Sequence, residues 1–365
     1  MFSLYILSSM QIQEIIMPIK KDKNGGHNKS KSKKGKKYAK EPFVVIVVPN
    51  FNGEAITFEG KPILYNCLKS LEKLTYKNYK IVIGDGDSTD KSEQLSKKFK
   101  VDFFRNRPNK GPIKNNNNTI KYVMIRYRPD YILWFNNDAI ITDPDFLGNM
   151  VRAMEKDKNA GIEGVKLLYP NGKIQHAGVT VSAGFRNRGR FEQDNGQYDK
   201  IEKIQAVTAA VCLYRCEMLR KIGLFDEIYN TSCEDVDLCV RATQNKYDVL
   251  YNGTTSAVHL EGFTVKGAGS PEAAQRDFAL RQEDYFYFSL KNAGIGLRLR
   301  TLGILFARAF VVMEDKAKTG KATTIILRGN FIHNLMATFK ALRGGMKKQK
   351  KWEEATREKN IDKNE

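Results

Sequence analysis

Five acidic residues and one histidine stand where they could do chemistry. Asp138 ends a stretch in which an apolar run, Tyr131 to Phe135, stops abruptly in Asn136, Asn137 and Asp138. Asp85 opens Asp85-Gly86-Asp87-Ser88-Thr89-Asp90 directly after a second apolar run, Tyr79 to Gly84. A carboxylate at the carboxyl end of a buried strand lies where open α/β sheets bind ligands, because rigid strands hold the loops that line the crevice. Such a group can accept hydrogen bonds, take a proton or bind a cation. Asn136, Asn137 and Asp138 alone would equally suit a simple turn. Coincidence explains one strand-end carboxylate more easily than two. Glu234, Asp235 and Asp237 crowd the start of a helix whose apolar face is Val236, Cys239, Val240 and Thr243. Ser232 and Asp235 have capping-box spacing, and acids stabilise a helix N-terminus by a few tenths to about 1 kcal/mol, so periodicity alone favours capping here. His259 ends a strand at a rim, where a lone histidine more often has a structural role than a ligand's.

The elements that must carry these residues alternate in type. Phe43 to Val48 is a β-branched strand ended by Pro49, and Pro62 to Leu74 has helical spacing at Leu64, Cys67, Leu68, Leu71 and Leu74. Tyr79 to Gly84 is the second strand, and Asp90 with Glu93 predicts a capping box for a helix through Phe99. Val101 to Phe104 is a third strand, and Asn116 to Arg126 a helix leading to the strand Tyr131 to Phe135. Strands alternating with helices imply right-handed crossovers and a mostly parallel sheet. Further on, Gly161 to Tyr169 and Lys173 to Val181 read as paired strands around the turn Pro170-Asn171-Gly172. Arg186 to Lys203 reads as a mobile loop over the cleft and Ala206 to Tyr214 as a strand. Glu217 to Ile222 is a short helix closed by Gly223, and Val249 to His259 is strand, turn, strand. No Gly-x-Gly-x-x-Gly turn follows the first strand and no Gly-x-x-x-x-Gly-Lys-Ser/Thr loop occurs, which argues against a dinucleotide oxidoreductase and the commonest NTPases.

At 365 residues, 41% of them hydrophobic, the chain has ample material for a core. Its formal charge of +20 is concentrated toward the ends. Gly25 to Lys40 has almost nothing to bury and reads as a disordered basic tail, and Lys347 to Glu365 is expected to fray. Basic tails can hold an anionic membrane at about 1 kcal/mol per residue, bind nucleic acid without sequence preference, or simply aid solubility. Met1 to Leu7 is too short and too soon interrupted for a signal peptide or a spanning helix. The five cysteines lack a Cys-x-x-Cys pair and are expected to be buried, reduced thiols of a cytosolic protein.

In this order the motifs resemble family-2 glycosyltransferases of the GT-A fold. The resemblance is carried by Val47 to Asn52, Asp85 to Asp90, Asn109-Lys110-Gly111 with Asn116 and Asn117, and Phe135 to Asp138. It continues through Lys166 to Gly178, Gly223 to Glu227, Glu234 to Leu238 and His259, covering about Phe43 to Gly262. From Lys166 onward it looks most like the rhamnosyltransferase and galactofuranosyltransferase branch. The resemblance implies an α/β, GT-A fold: a Rossmann-like nucleotide-binding half on a mostly parallel central sheet, with a helical C-terminal extension. The implied division is a basic tail at 1–41, the GT-A domain at 42–265, a helical, basic amphipathic region at 266–346 and a charged tail at 347–365.

By position, the resemblance gives donor binding to Pro49, Phe51, Asn52, Asp85, Asp87, Asn109, Asn116, Asn136 and Asn137. Asp138 and His259 would hold Mn²⁺ or Mg²⁺. Asp235 would be the general base, supported by Glu234, and Asp237, Thr208, Ala209 and His176 would meet the acceptor. The implied reaction is metal-dependent, inverting transfer from a UDP- or dTDP-linked sugar to a saccharide or lipid-linked acceptor. Two neighbouring phosphates beside Asp138 repel it by about 4 kcal/mol per close pair at intermediate dielectric, which a cation removes. The sequence departs from the family pattern at Asn136, where the first acid of Asp-x-Asp is missing, and at Asp87, where glycine is usual. Past Gly262 the stretches Ile295 to Val312 and Ile325 to Leu342 are basic and amphipathic. They suggest peripheral attachment on the cytoplasmic face of an anionic membrane, or a helical cap on the domain. No specific nucleic acid is expected as partner. The rival readings are a catalytically silent nucleotide-sugar-binding protein, allowed by Asn136, and a basic nucleic-acid-binding protein, which leaves the motifs unexplained.

Overall fold

The computed structural model describes residues 41–181, 185–261, 271–292, 311–313, 324–326 and 331–361. The expected tail at 1–41 lies outside these residues except for Glu41, and so do most of the amphipathic stretch Ile295 to Val312 and residues 327–330 of the stretch Ile325 to Leu342. The elements below all belong to one unit, Pro42–Glu365.

The first half alternates strand and helix as its apolar runs require. β1 (Val44–Asn50) leads through a small hairpin, β2 (Thr57–Phe58) and β3 (Lys61–Pro62), into α1 (Ile63–Leu71). β4 (Tyr79–Asp85), α2 (Ser92–Ser96), β5 (Asp102–Arg105), α3 (Pro112–Arg126) and β6 (Tyr131–Phe135) follow. β4 and β6 flank β1 in parallel, and β5 lies parallel beyond β4. Their carboxyl ends therefore open on one edge, where Asn50 is in register with Asp85. α3 starts at Pro112, earlier than Asn116, because Gly111 takes a φ of +91° before a proline suited to the first turn.

The second half wraps the sheet. β7 (Ala139–Ile141), α4 (Phe146–Lys156), β8 (Ala160–Leu168) and β9 (Ile174–His176) precede the hairpin of β10 (Val179–Val181) and β11 (Phe185–Asn187). Then come β12 (Ile201–Lys203), β13 (Val211–Arg215), α5 (Cys216–Ile222), α6 (Glu234–Gln244) and β14 (Asp248–His259). The main path runs β12-β14-β8-β13-β6-β1-β4-β5, with β7 on β14 and β9 on β8. β13 is antiparallel to both of its neighbours, whereas β8 and β14 are parallel. A parallel half continued by a mixed sheet is the GT-A architecture that the resemblance implies.

Alternation along the strands divides the core between two faces. Val45, Val47, Val82 and Trp134 pack toward α3 and α6, and Val44, Ile46, Val48 and Phe135 toward α1 and α4. Each such side chain contributes roughly 1.5–3 kcal/mol when fully buried. All five cysteines are buried and unbridged.

Four local expectations need correction. Residues 186–203 are anchored rather than mobile, because Lys166 holds Asp194 at 2.7 Å and also pairs with Asp199, and Ile201–Lys203 joins the sheet on β14. Residues 248–259 form one strand with a register shift between Asn252 and Ser256, since parallel pairing with β8 resumes past the irregularity. Asp90 receives the Ser92 N–H at 3.0 Å, but Glu93 turns out to Arg105 at 2.7 Å and closes no capping box. Ser232 and Asp235 make no capping box either, for no side chain caps α6.

Two long helices follow, α7 (Pro271–Asn292) and α8 (Phe331–Ile361), with short paired strands β15 (Val311–Met313) and β16 (Thr324–Ile326) between them. The stretch expected to fray from Lys347 is thus helical as far as Ile361. α7 and α8 approach closely: a Cβ at Gly345 would meet the Phe286 ring at 2.5 Å. α7 also packs on the sheet domain, with Lys291 at 2.8 Å from both Asp226 and Asp237. The described part of the C-terminal region therefore caps the domain. Among the described residues no helix is long and apolar enough to cross a membrane.

Candidate functional site

Asp138 and His259 meet at one corner. Asp138 follows β6, His259 ends β14, and the ladder pairing β14 with β7 sets His259 opposite Ala139. His259 Nε2 lies 3.1 Å from Asp138 Oδ1. Gln175 Nε2 donates to the His259 carbonyl at 3.0 Å, which orients the amide so that its Oε1 accepts from Nδ1 at 2.6 Å. The Nε2 lone pair of a neutral His259 then faces a carboxylate oxygen. Two acceptors so close are satisfied by a proton or a cation between them, so the donor set fits a divalent ion. Among the described residues no group of three His, Cys, Asp or Glu gathers that could hold a metal. The remaining ligands of an ion here would have to be water and phosphate oxygen.

The crevice beside this corner is built by hydrogen bonds among the strand ends. Asp85 is fully buried and accepts from Ser88 N at 2.9 Å, Ser88 Oγ at 2.6 Å and Asn50 Nδ2 at 2.9 Å. Asn137 donates to Asn50 Oδ1 at 2.9 Å, joining the end of β6 to the end of β1. Gly53 closes over this joint, where a Cβ would come 2.4 Å from Asn50 Oδ1. Asn52, at a φ of +52°, receives the Thr89 N–H at 2.9 Å, while Phe51 stands 43% exposed beside it and Pro49 is half-buried. Asp87 adopts a φ of +67°, a left-handed conformation that explains why glycine suits this position, and meets Arg107 Nε at 3.0 Å. Asn109 is exposed and accepts from Asn115 Nδ2 at 2.9 Å.

The second edge carries the acids of α6. Asn136 N–H donates to the Ala210 carbonyl at 2.9 Å, and Ala209 N–H donates to Asp235 Oδ2 at 3.0 Å. Neighbouring backbones thus bring Asp235 and the end of β6 to one side of the sheet. Burial pushes the Asp235 carboxyl up, while the N–H groups of Ala209 and Val236 and the Thr208 hydroxyl oppose the rise. Glu234 is pushed further, to about 8, by burial and by the Asp235 charge, and its Oε2 is buried without a hydrogen-bond partner. Cys233 just before it has a φ of +70°, an unusual conformation for a residue with a side chain and of a kind that clusters at functional sites. His176 Nε2 accepts from Thr208 N–H at 3.4 Å, and burial holds the ring at about 4, hence neutral.

One expected site residue lies elsewhere. Asp237 is fully buried and points away from Asp235 to Lys291 at 2.8 Å and Arg241 at 2.9 Å. Burial would raise its carboxyl, but Lys291 and Arg241 more than offset this and hold it below the usual range. Asn116 is half-buried on α3 between Asn115, which bonds the 109–110 loop, and Asn117, which bonds Phe225 and Glu227. Asn50, Ser88 and Gln175 were missed. Gln175 fell within a recognised motif, but its contact with His259 spans 84 residues and leaves no local signal.

A family model described as Glycosyl transferase family 2 matches residues 45–223. The O-antigen biosynthesis protein RfbC of Myxococcus xanthus is 30% identical over 152 residues, 40% of this chain and 12% of RfbC. The uncharacterized protein y4gI of Sinorhizobium fredii is 29% identical over 166 residues, 43% of this chain and 18% of that protein. The chain therefore matches only a small part of either relative. Among solved structures, the mannosyltransferase PcManGT from Pyrobaculum calidifontis, in complex with GDP-Man and Mn²⁺, is similar with a TM-score of 0.48 at 12% identity, covering 85% of this chain and 87% of that one.

Proposed function

Because residues 45–223 belong to glycosyl transferase family 2, we propose that the protein transfers a sugar, with inversion, from a UDP- or dTDP-linked donor to a hydroxyl of a saccharide or lipid-linked acceptor, using Asp235 as general base. The observation that carries this reading is the pairing of two backbones. Asn136 N–H reaches Ala210 and Ala209 N–H reaches Asp235, so the metal-binding corner and the candidate base share one edge.

Asp138 and His259 are the residues that would hold Mn²⁺ or Mg²⁺. The ion, when bound, offsets the charge of the diphosphate and of the leaving group. The crevice of Asn50, Asp85 and Ser88 fixes the loop on which Phe51 and Asn52 meet the nucleotide. Glu234, raised to about 8, keeps its proton at neutral pH, so the negative charge of the acidic pair rests on Asp235. Asp235 then takes the proton of the acceptor hydroxyl as its oxygen bonds to the anomeric carbon. The carbon–oxygen bond to the diphosphate breaks, and its electron pair leaves with the phosphate. Thr208, Ala209 and His176 line the acceptor side.

Similarity to a protein named for O-antigen biosynthesis favours a saccharide or lipid-linked acceptor. α8 turns one basic face outward, with Arg343, Lys347 and Lys350 exposed beside Phe339 (54%) and Met346 (55%). That face supports peripheral attachment to an anionic membrane, at about 1 kcal/mol per basic residue near the surface. Sedimentation with phosphatidylserine vesicles tests it, and binding unchanged by Arg343→Glu with Lys347→Glu would rule this face out.

The deciding experiment is thermal stabilisation by UDP, dTDP, GDP and CMP, each with and without Mn²⁺, on wild type and Asp138→Ala. A ligand at about 100 times its dissociation constant adds about 2.7 kcal/mol. One nucleotide is expected to stabilise only with metal, and Asp138→Ala to lose the effect. Asp235→Asn is expected to keep that binding and lose transfer. Transfer retained by a folded Asp235→Asn would remove Asp235 as the base, and nucleotide binding without turnover by wild type would favour a silent binding protein.

A further inference from the structure

The turn that delivers Glu234 and Asp235 is held by the C-terminal helices. Asp284, fully buried on α7, accepts the N–H groups of Asn230 at 2.9 Å, Thr231 at 2.9 Å and Ser232 at 3.1 Å. Lys348 on α8 pairs with the same carboxylate at 2.5 Å. Successive N–H groups converging on one anion form a concave nest, and the chain leaves this nest through the left-handed Cys233 directly into Glu234. Asn230 Nδ2 and Thr231 Oγ1 are buried without hydrogen-bond partners, so these two side-chain atoms add no bond of their own to the turn.

We propose that Asp284 is a positioning residue for the Glu234–Asp235 pair, fixing through its three backbone contacts where α6 begins, with Lys348 holding the carboxylate in place. The proposal rests on the reading of Asp235 as general base. It makes the two C-terminal helices part of the machinery that sets the site. Asp284 also faces Glu234 electrostatically. Burial and the Asp235 charge are the main causes of the raised Glu234 carboxyl, the Asp284 charge adds to them, and Arg281 of α7 opposes them.

The test uses the full chain carrying Asp284→Asn, Asp284→Leu or Lys348→Met. Amide hydrogen exchange is read at residues 230–236. Turnover is read as release of nucleoside diphosphate from UDP-glucose, GDP-mannose and dTDP-rhamnose with Mn²⁺, water serving as acceptor. In Asp284→Leu, exchange at 230–232 is expected to rise at least about tenfold and kcat to fall about 10- to 100-fold, with donor KM within about twofold. Asp284→Asn keeps an acceptor oxygen and should recover part of kcat while moving the alkaline limb of the pH profile to lower pH. Lys348→Met should lower kcat in the same direction. Unchanged exchange at 230–232 would overturn the proposal, and so would faster exchange with kcat intact or a rise in KM alone. Asp235→Asn runs beside them: if it turns over normally the base assignment fails, while the exchange data still decide whether Asp284 holds the turn.

Discussion

Gln175 is the sharpest lever on the proposed metal corner, because it touches His259 twice and the ion's other ligand not at all. Its Oε1 accepts from Nδ1 at 2.6 Å and its Nε2 donates to the His259 carbonyl at 3.0 Å, both bonds buried. Gln175→Leu leaves the ring free to turn and a buried Nδ1–H unpaired. Loss of such an outer partner lowers metal affinity about 10- to 100-fold, which is about 1.4 to 2.8 kcal/mol. Leaving a buried donor and a buried carbonyl unsatisfied costs a further 1–3 kcal/mol or so of fold stability each, so the variant should melt earlier as well. Gln175→Glu separates the two effects. A carboxylate on Nδ1–H is a stronger, charge-assisted acceptor and makes Nε2 a better ligand, so Mn²⁺ should bind at least as tightly as in wild type although the bond to the His259 carbonyl is lost. The assay is calorimetric titration of Mn²⁺ at saturating concentration of whichever nucleoside diphosphate stabilises the wild type. If the two variants weaken Mn²⁺ binding equally, Gln175 acts through packing alone. If neither changes it, His259 is no ligand.

Two further outcomes follow from buried charge. Glu234 has a folded value of about 8 against 4.5 for a free glutamate; between these the unfolded chain has released a proton that the folded chain keeps, so its contribution to stability falls as pH rises through that window. Glu234→Gln should remove this slope, raise the melting temperature at pH near 8 and leave turnover at neutral pH within a few fold; an equal melting temperature at both ends of the window would contradict the buried, protonated carboxyl. Lys291→Met leaves Asp226 and Asp237 without the ammonium that both contact at 2.8 Å, and breaking a buried pair costs about 3–5 kcal/mol. The lower end is expected, since Arg241 stays on Asp237 and the Tyr287 hydroxyl on Asp226. In wild type Asp237 lies below the usual 3.8, so its stabilisation is lost only as pH falls through that lower value; without Lys291 its folded value rises, and the deficit in urea unfolding should shrink as pH is lowered from 7.5. A deficit under about 1 kcal/mol, or one independent of pH, would refute this.

What could be read from the sequence divides along a physical line. Strands buried on both faces announce themselves as unbroken apolar runs, so β1, β4 and β6, and the acids that follow β4 and β6, were legible, and with them the fold. The pairing of Asp138 with His259 was accessible only through family resemblance, because the partners are 121 positions apart. Ion pairs between distant segments left no trace. Lys166 turns 186–203 from an apparent loop into an anchored segment, although that stretch is polar and aperiodic in sequence. Asp284 was equally silent. An aspartate in the middle of a long helix reads as a solvated residue until the turn at 230–232 is seen folded over it.

Three acids within four residues show how one short stretch serves two purposes. Helical rotation of about 100° per residue sets Asp237 roughly 200° from Asp235. One acid therefore faces the sheet edge at Ala209 and the other faces α7. Asp237 is paid for by two cations and fixes the helix; were it the base, Lys291 and Arg241 would hold it too acidic to take a proton from a hydroxyl near neutral pH. Among the described residues Asp235 meets no cation, only N–H and hydroxyl donors, and its carboxyl is raised rather than lowered. Two adjacent buried charges would repel, so burial and the Asp235 charge together push the Glu234 carboxyl up to about 8. The proposed choice of base thus follows from where the cations lie. Arg241 is supplied by α6 itself and Lys291 by α7, so the C-terminal helix bears on the proposed chemistry.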